Sequence, residues 1–269
     1  MDIEKINEMG KWVDRFMRLK TNSLGVKFYE KAESVPKEFK RFDRPQPVCA
    51  VFGWSRFLEI PVVLTRDKMV PCPAATLSLG WGKLPDNFEE LVVGLFAETK
   101  ENALKVVKGG MSLNGKYEAF AVCPLDRITV EPDIVQMWPT PLQLLMIEQA
   151  NTWNGWPRVK LEGNGHGASC YEALTIPFLT KEIRFSVPDM GDRRHGMAQD
   201  DEMLCGFPFD KLELIIDALK KNQNDMNAFP IIYNLDAPFP VPNSVLKMKF
   251  PKYETAGIYK DEITKEMHS

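Results

Sequence analysis

The run YEAFAVCPLDRITVEPDIVQMWPTPLQLLMIEQANTW, residues 117–153, decides the fold class. Residues 117–123 are almost wholly apolar and of strand length, which suits a strand central in a sheet. Residues 128–138 form a second strand candidate, interrupted by Pro132, which cannot donate to a ladder. Thr140-Pro141-Leu142-Gln143 then opens a helix: a Thr cap, Pro at the first helical position and Gln three residues after the cap. That helix turns Leu144, Leu145, Ile147 and Ala150 inward and runs to about Trp153. Two strands followed directly by a helix, with no βαβ alternation, predict α+β.

The flanks repeat the mixture. Upstream, residues 2–19 carry Ile3, Ile6, Met9, Val13, Phe16 and Met17 at helical spacing, and residues 24–29 alternate like a strand. A Pro-rich basic stretch, 36–47, leads into a helix at Cys49 that ends before Pro61. Residues 62–64 start a strand, and Pro71 introduces a helix at Cys72 that Gly80 ends. Asp86 with Glu89 predicts a capped helix through Phe88, Leu91, Val92 and Leu95. Another helix runs from Thr99 to Gly109-Gly110. Downstream come short strands at 159–161, 183–187 and 203–207, a helix at Cys170 and a helix over 209–221. The expectation is one globular domain over 1–222, of helices packed on a short-stranded sheet. Repeated prolines among aromatics mark 223–269 as an extended arm, which wraps the body or a partner subunit and offers a route to a homo-oligomer.

At 269 residues and 44% hydrophobic, the chain is long and apolar enough for a substantial core. The net charge of −3 and scattered lysines and arginines exclude a nucleic-acid footprint. No apolar run reaches membrane-span length, and the acidic, amphipathic start is no signal peptide. A cytoplasmic protein is expected.

The cysteines carry the chemistry. Cys49, Cys72, Cys123, Cys170 and Cys205 form no C-x-x-C pair, so a local zinc knuckle or ferredoxin-type run is excluded. Cys49, Cys72 and Cys170 each stand where a helix begins, which favours thiolate through the orphan N–H groups and the dipole. If they act together, the fold must gather them. Cys123 and Cys205 read as strand-core residues. The Cys49 and Cys170 segments also share an order of Cys, helix, proline and strand; with so few matching residues, chance recurrence accounts for it at least as well as a duplicated unit.

Met190-Gly191-Asp192-Arg193-Arg194-His195-Gly196 is the densest polar cluster, and reads as a compact turn. Gly191, Asp192, Arg193 and Arg194 are candidates to hold a carboxylate or phosphate. His166, in the Gly-rich loop 163–167, and His195 are candidate general acids or bases, as is Glu172, two residues after Cys170. Trp153 and Trp156 can line an apolar pocket with Phe207. Each has a plain structural alternative: a solvated turn, surface imidazoles, a first-turn acid and core rings.

In order along the chain, several pieces resemble the DUF169 (ArCR) family of bacteria and archaea. They are Leu24-Gly25-Val26-Lys27-Phe28, the Cys49 segment, Cys72 leading to Leu79-Gly80, and Pro124-Leu125-Asp126 with Pro132-Asp133-Ile134-Val135. Then follow Pro141-Leu142-Gln143, Gly167 to Cys170, Gly191-Asp192-Arg193, and Glu202 before Phe207-Pro208. The resemblance implies a single α+β domain and favours Cys72, Cys170 and the Gly-Asp-Arg turn as shared features; it supplies no reaction. The functional expectation is a small-molecule enzyme or redox protein. Cys49, Cys72 and Cys170 would bind a metal or iron–sulfur cluster, and Arg193 an anionic substrate. A cofactor-free alternative uses Cys170 as nucleophile with His166 or Glu172 as base. A binding module for an aromatic or organic acid, and an accessory subunit of a larger enzyme, are the rival classes.

Overall fold

The computed structural model describes residues 1–108, 110–163 and 165–222. Met1–Lys220 forms one compact unit. The chain opens with α1 (Ile3–Met17), capped by the Asp2 side chain, which accepts from the Glu4 N–H. Strands β1 (Leu24–Tyr29) and β2 (Lys40–Arg41) lead to α2 (Val48–Leu58), then β3 (Val62–Thr65). Helices α3 (Pro73–Leu79), α4 (Phe88–Val92) and α5 (Lys100–Lys108) precede β4 (Ala119–Pro124) and β5 (Ile134–Met137). Next come α6 (Pro141–Trp153), β6 (Lys160–Leu161), a π-helix (Ala168–Thr175) and α7 (Ile176–Thr180). The described chain ends with β7 (Arg184–Ser186), α8 (Met190–Arg194), β8 (Leu204–Pro208) and α9 (Leu212–Lys221).

The strands join in one sheet in the order β2-β3-β4-β1-β5-β8-β7-β6. Pairing is antiparallel except at the two edges, where β2 pairs β3 and β6 pairs β7 in parallel. This is the expected α+β class. The order also reads as two equivalent halves, β1–β4 and β5–β8, meeting antiparallel at the Gly25↔Val135 pair. A half-turn about that pair carries the row Lys40–Val62–Val122–Val26 onto Lys160–Arg184–Gly206–Gln136. Each half closes with the same 3₁₀ turn, Pro124-Leu125-Asp126-Arg127 in one and Pro208-Phe209-Asp210-Lys211 in the other. In this frame α2 corresponds to the π-helix and α3 to α8. The Cys49 and Cys170 segments therefore occupy equivalent places in the two halves of the sheet.

One face of the sheet packs Val26, Val62, Val122, Ile134 and Leu204 against Val51 and Phe52 of α2, Ala75 and Leu79 of α3, and Cys170, Ala173 and Leu174 of the π-helix. Sheet residues of the other parity, including Val63, Ala121, Val135 and Phe207, are also buried. On that side α1, α6 and α9 are tied together: the Gln143 amide donates to the Met17 and Arg18 carbonyls, and Lys5 pairs with Glu213. The capping box at Thr140 forms as expected, its hydroxyl accepting from the Gln143 N–H and the Gln143 side chain accepting from the Thr140 N–H. Gly80 ends α3 in the left-handed region, with φ 70°.

Three local expectations are corrected. Helix α4 starts after Asn87 and spans only Phe88–Val92, so Asp86 and Glu89 make no cap box and Leu95 lies outside it. Of the strand candidate 128–138 only Ile134–Met137 pairs, because the segment through Pro132 is lead-in. The polar turn at 190–196 is a helix, α8, for which the Asp189 and Asp192 side chains form a reciprocal cap. The expected arm, 223–269, lies outside the described residues. Among the described residues no helix is long and apolar enough to cross a membrane.

Candidate functional site

The cysteines expected to act together are brought together by helix starts. Cys49 is the second residue of α2, Cys72 is the N-cap of α3, and Cys170 is the third residue of the π-helix. Cys72 and Asp189 occupy matching places, each at the N-cap position of the helix that follows the third strand of its half, and Asp189 alone makes a side-chain cap bond there. Cys49 and Cys170 likewise sit at matching helix starts. The site is thus assembled where both halves point helix N-termini at one spot.

Asp189 holds that spot in shape. One carboxylate oxygen accepts from the Asp192 N–H at 2.9 Å; the other accepts from the Gly167 N–H and, at 3.0 Å, from the Ala168 N–H. A single side chain therefore caps both α8 and the π-helix. Asp192 lies behind it, fully buried, accepting from the Ser169 and Asp189 N–H groups at 3.3 Å. Gly167 takes φ 76°, a left-handed start that a side chain would strain. Cβ atoms at Gly167 and Gly191 would stand 3.4 Å from the sulfurs of Cys170 and Cys49 respectively, so both backbones run directly beside the thiols.

The electrostatics are those of a desolvated acidic cluster. Burial pushes the Cys170 thiol well above its ordinary range, with Cys72, Asp189, Asp192 and Cys49 adding to the shift. Burial likewise raises Cys49, with Asp192, Asp189 and Cys72 contributing. Burial, then Asp189, pushes the Asp192 carboxyl up to about 7. The expectation that helix starts favour thiolate is thus overturned at Cys49 and Cys170. Desolvation and two neighbouring carboxylates outweigh the dipole. A cation placed among these groups reverses that balance, because a bound metal deprotonates coordinating thiols. Among the described residues no group of three or more His, Cys, Asp or Glu is already placed to hold a metal ion. The sulfurs are neighbours with interacting charges, short of a formed coordination shell.

The other expected residues distribute as follows. Gly191 and Asp192 join the cysteines. Arg193 lies in the last turn of α8 and donates to Asp200 at 3.1 Å and to the Gln199 carbonyl; Arg194 is exposed. His195 ends α8 and is exposed. The His166 ring packs on Phe96, with centroids 4.6 Å apart. Glu172 is raised by burial and by Glu162, and eased by Arg184, so its charged neighbours are at the sheet edge. Trp153 is exposed at the end of α6, and the Lys211 ammonium sits 3.8 Å from the Trp156 ring. Phe207 is buried in β8. Burial pushes Cys123 up to about 12 and raises Cys205; both are buried strand residues, as expected.

Sequence reasoning assigned no role to three contributors. Asp189 had a readable signal, an acid three residues before Asp192 at a helix start. Arg56 had none, and Glu202 stood only in the series that resembles the family; they form a fully buried ion pair at 2.6 Å, with Arg56 4.2 Å from the Trp138 ring. Arg56 also donates to Thr21 at 3.0 Å. This pair ties α2, which carries Cys49, to the loop behind α8.

The family model described as Uncharacterised ArCR, DUF169, matches residues 13–218. A curated relative, Uncharacterized protein MJ0308 of Methanocaldococcus jannaschii, is 24% identical over 226 residues, covering 82% of this chain and 96% of its own length. No solved structure matches.

Proposed function

The chain belongs to the DUF169 family, and from that premise we propose that Cys49, Cys72 and Cys170 bind a soft metal ion or an iron–sulfur centre in a small-molecule redox enzyme. The observation that carries this reading is the meeting of three cysteines, each from a helix start, beside two acidic side chains. Thiols and carboxylates attract a cation and repel an anion, and sulfur donors select zinc, copper(I) or iron–sulfur chemistry. The group would supply Lewis-acid or electron-transfer chemistry. The chain's own residues would hold it: three thiolates ligate, and Asp189 fixes the two helix starts that carry Cys170 and Gly191.

The same charge argument moves an anionic substrate away from the sulfurs. Its anchor in this reading is the far end of α8, where Arg193 exchanges Asp200 for a substrate carboxylate and Arg194 adds a second cation. Cofactor-free attack by Cys170 is disfavoured, since burial raises its thiol well above the ordinary range and the charged groups acting on Glu172 are Glu162 and Arg184 rather than the cysteines. The test is single Cys→Ser substitution at positions 49, 72 and 170 in protein purified without oxygen. Loss of bound iron or zinc in each, with retention in Cys205→Ser, supports the reading. Equal metal content in all four variants overturns it.

A further inference from the structure

The two halves differ in what lies beneath the helix that carries Cys49 in the first and Cys170 in the second. In the first half Val26 and Val122 are paired neighbours on β1 and β4, and a regular helix, α2, packs on them. In the second half the corresponding neighbours are Gln136 and Gly206, and the helix is π-wound throughout Ala168–Thr175. A π-helix is rare, and its i→i+5 hydrogen bonds wind a wider turn than an α-helix has. Here the side-chain amide of Gln136, fully buried, donates to the Ser169 carbonyl at 2.9 Å and the Ala173 carbonyl at 3.2 Å. Gly206 completes the fit: a Cβ there would overlap the Ala173 carbonyl. A polar side chain in a sheet centre and a glycine inside a strand each weaken a core on their own. Together they make a seat for a helix that sits closer and winds wider than its counterpart.

We infer that Gln136 and Gly206 are positioning residues: they hold the π-winding that sets Cys170 against Cys49 and Cys72. This rests on the proposed metal reading only for its purpose; the seat itself stands on the hydrogen bonds and the close approach. Gln136 donates to backbone carbonyls and to none of the three thiols. It acts through Ser169, the residue before Cys170, and through Ala173, one turn beyond.

The test uses the full chain and two readouts. The first is the rate at which iodoacetamide labels each of the five cysteines, in protein treated with chelator. Gln136→Met keeps the volume and removes both donors, and Gln136→Glu keeps the shape and replaces the donors with acceptors. Either is expected to raise Cys170 labelling by about tenfold or more through local opening, with Cys123 and Cys205 unchanged. Gly206→Ala is expected to do the same by displacing the Ala173 carbonyl. The second readout is the visible spectrum and metal content of the same variants purified without oxygen. A wild-type centre that is lost or spectrally altered in Gln136→Glu, with the fold intact by circular dichroism, supports the inference. Unchanged Cys170 labelling in folded variants overturns it, and so does an equal rise at all five cysteines, which marks general loosening. A metal-free wild type that still shows the Cys170-specific rise sinks the metal reading and leaves the seat standing. A wild-type centre unchanged in every variant sinks the seat and leaves the metal reading standing.

Discussion

The two halves of the sheet share one register and differ in obedience to local rules. Beneath α2 the first follows them: Val26 and Val122 side by side in the strands, a regular helix, and an apolar contact with Val51 and Phe52. The second breaks them at the matching positions, with a buried glutamine, a strand glycine and a π-helix. Departures from local consistency concentrate where function requires a particular placement. The comparison therefore locates the demand: it falls on the segment bearing Cys170. Half one acts as the support, and half two carries the specialised seat.

Exchanging residues between the halves tests this most severely. Gly206→Val installs the first half's residue and forces a side chain into the Ala173 carbonyl. The expected loss is about 5 kcal/mol or failure to fold, read by urea denaturation. If Gly206→Val costs no more than an ordinary surface change, the close approach is wrong. The halves are also joined by the Arg56–Glu202 pair, both side chains essentially unexposed. Glu202→Gln leaves a buried guanidinium without its counterion and is expected to cost about 3–5 kcal/mol by the same measurement. Burial alone lowers the Arg56 pKa and Glu202 opposes that shift, so the arginine depends on its partner.

Asp189→Ala removes one side chain that caps two helices. A loss of about 1–2 kcal/mol is expected, together with faster Cys170 labelling. Asp2→Ala, which uncaps α1 in the other layer, serves as the control: a similar stability loss with Cys170 labelling unchanged. Equal labelling in the two variants would mean that Asp189 has no special hold on the site.

The smallest effect is a pH slope. Asp192 is pushed up to about 7 and Asp14 up to about 6, both chiefly by burial. Both folded values lie above the ordinary 3.8, so the folded state keeps protons that the unfolded chain has released. Their contribution is fully present below the ordinary carboxylate range and is lost as pH rises through about 6 to 7. Asp192→Asn and Asp14→Asn are each expected to flatten the fall in the urea midpoint across that window. Only Asp192→Asn should also alter Cys49 labelling, since Asp192 faces the thiols and Asp14 bonds the Ser23 N–H near α1. Identical Cys49 behaviour in both variants would break that part of the comparison.

Much of the fold was legible because its signals are local. Thr140 with Gln143, Gly80 as a helix stop, and cysteines at three helix starts are short-range patterns with direct structural readings. The sheet order was not legible, since it depends on pairs such as Gly25 with Val135, far apart in the chain. The π-winding was hidden for a related reason: its cause is Gln136 and Gly206, in two other strands. Arg56 and Glu202 read as ordinary charged residues until the fold buried them. At the site, the sequence identified the cysteines but misjudged the protonation of Cys49 and Cys170, because desolvation comes from neighbours that no spacing reveals.

The central claim is that the three cysteines hold a soft metal centre, and metal content tests it most directly. Total iron, zinc and copper per chain should be measured in wild-type protein purified without oxygen, beside its visible spectrum. A stoichiometric metal, displaced by acid together with any colour, is the expected result. Colourless, metal-free wild-type protein that takes up neither iron with sulfide nor zinc on reconstitution would contradict it.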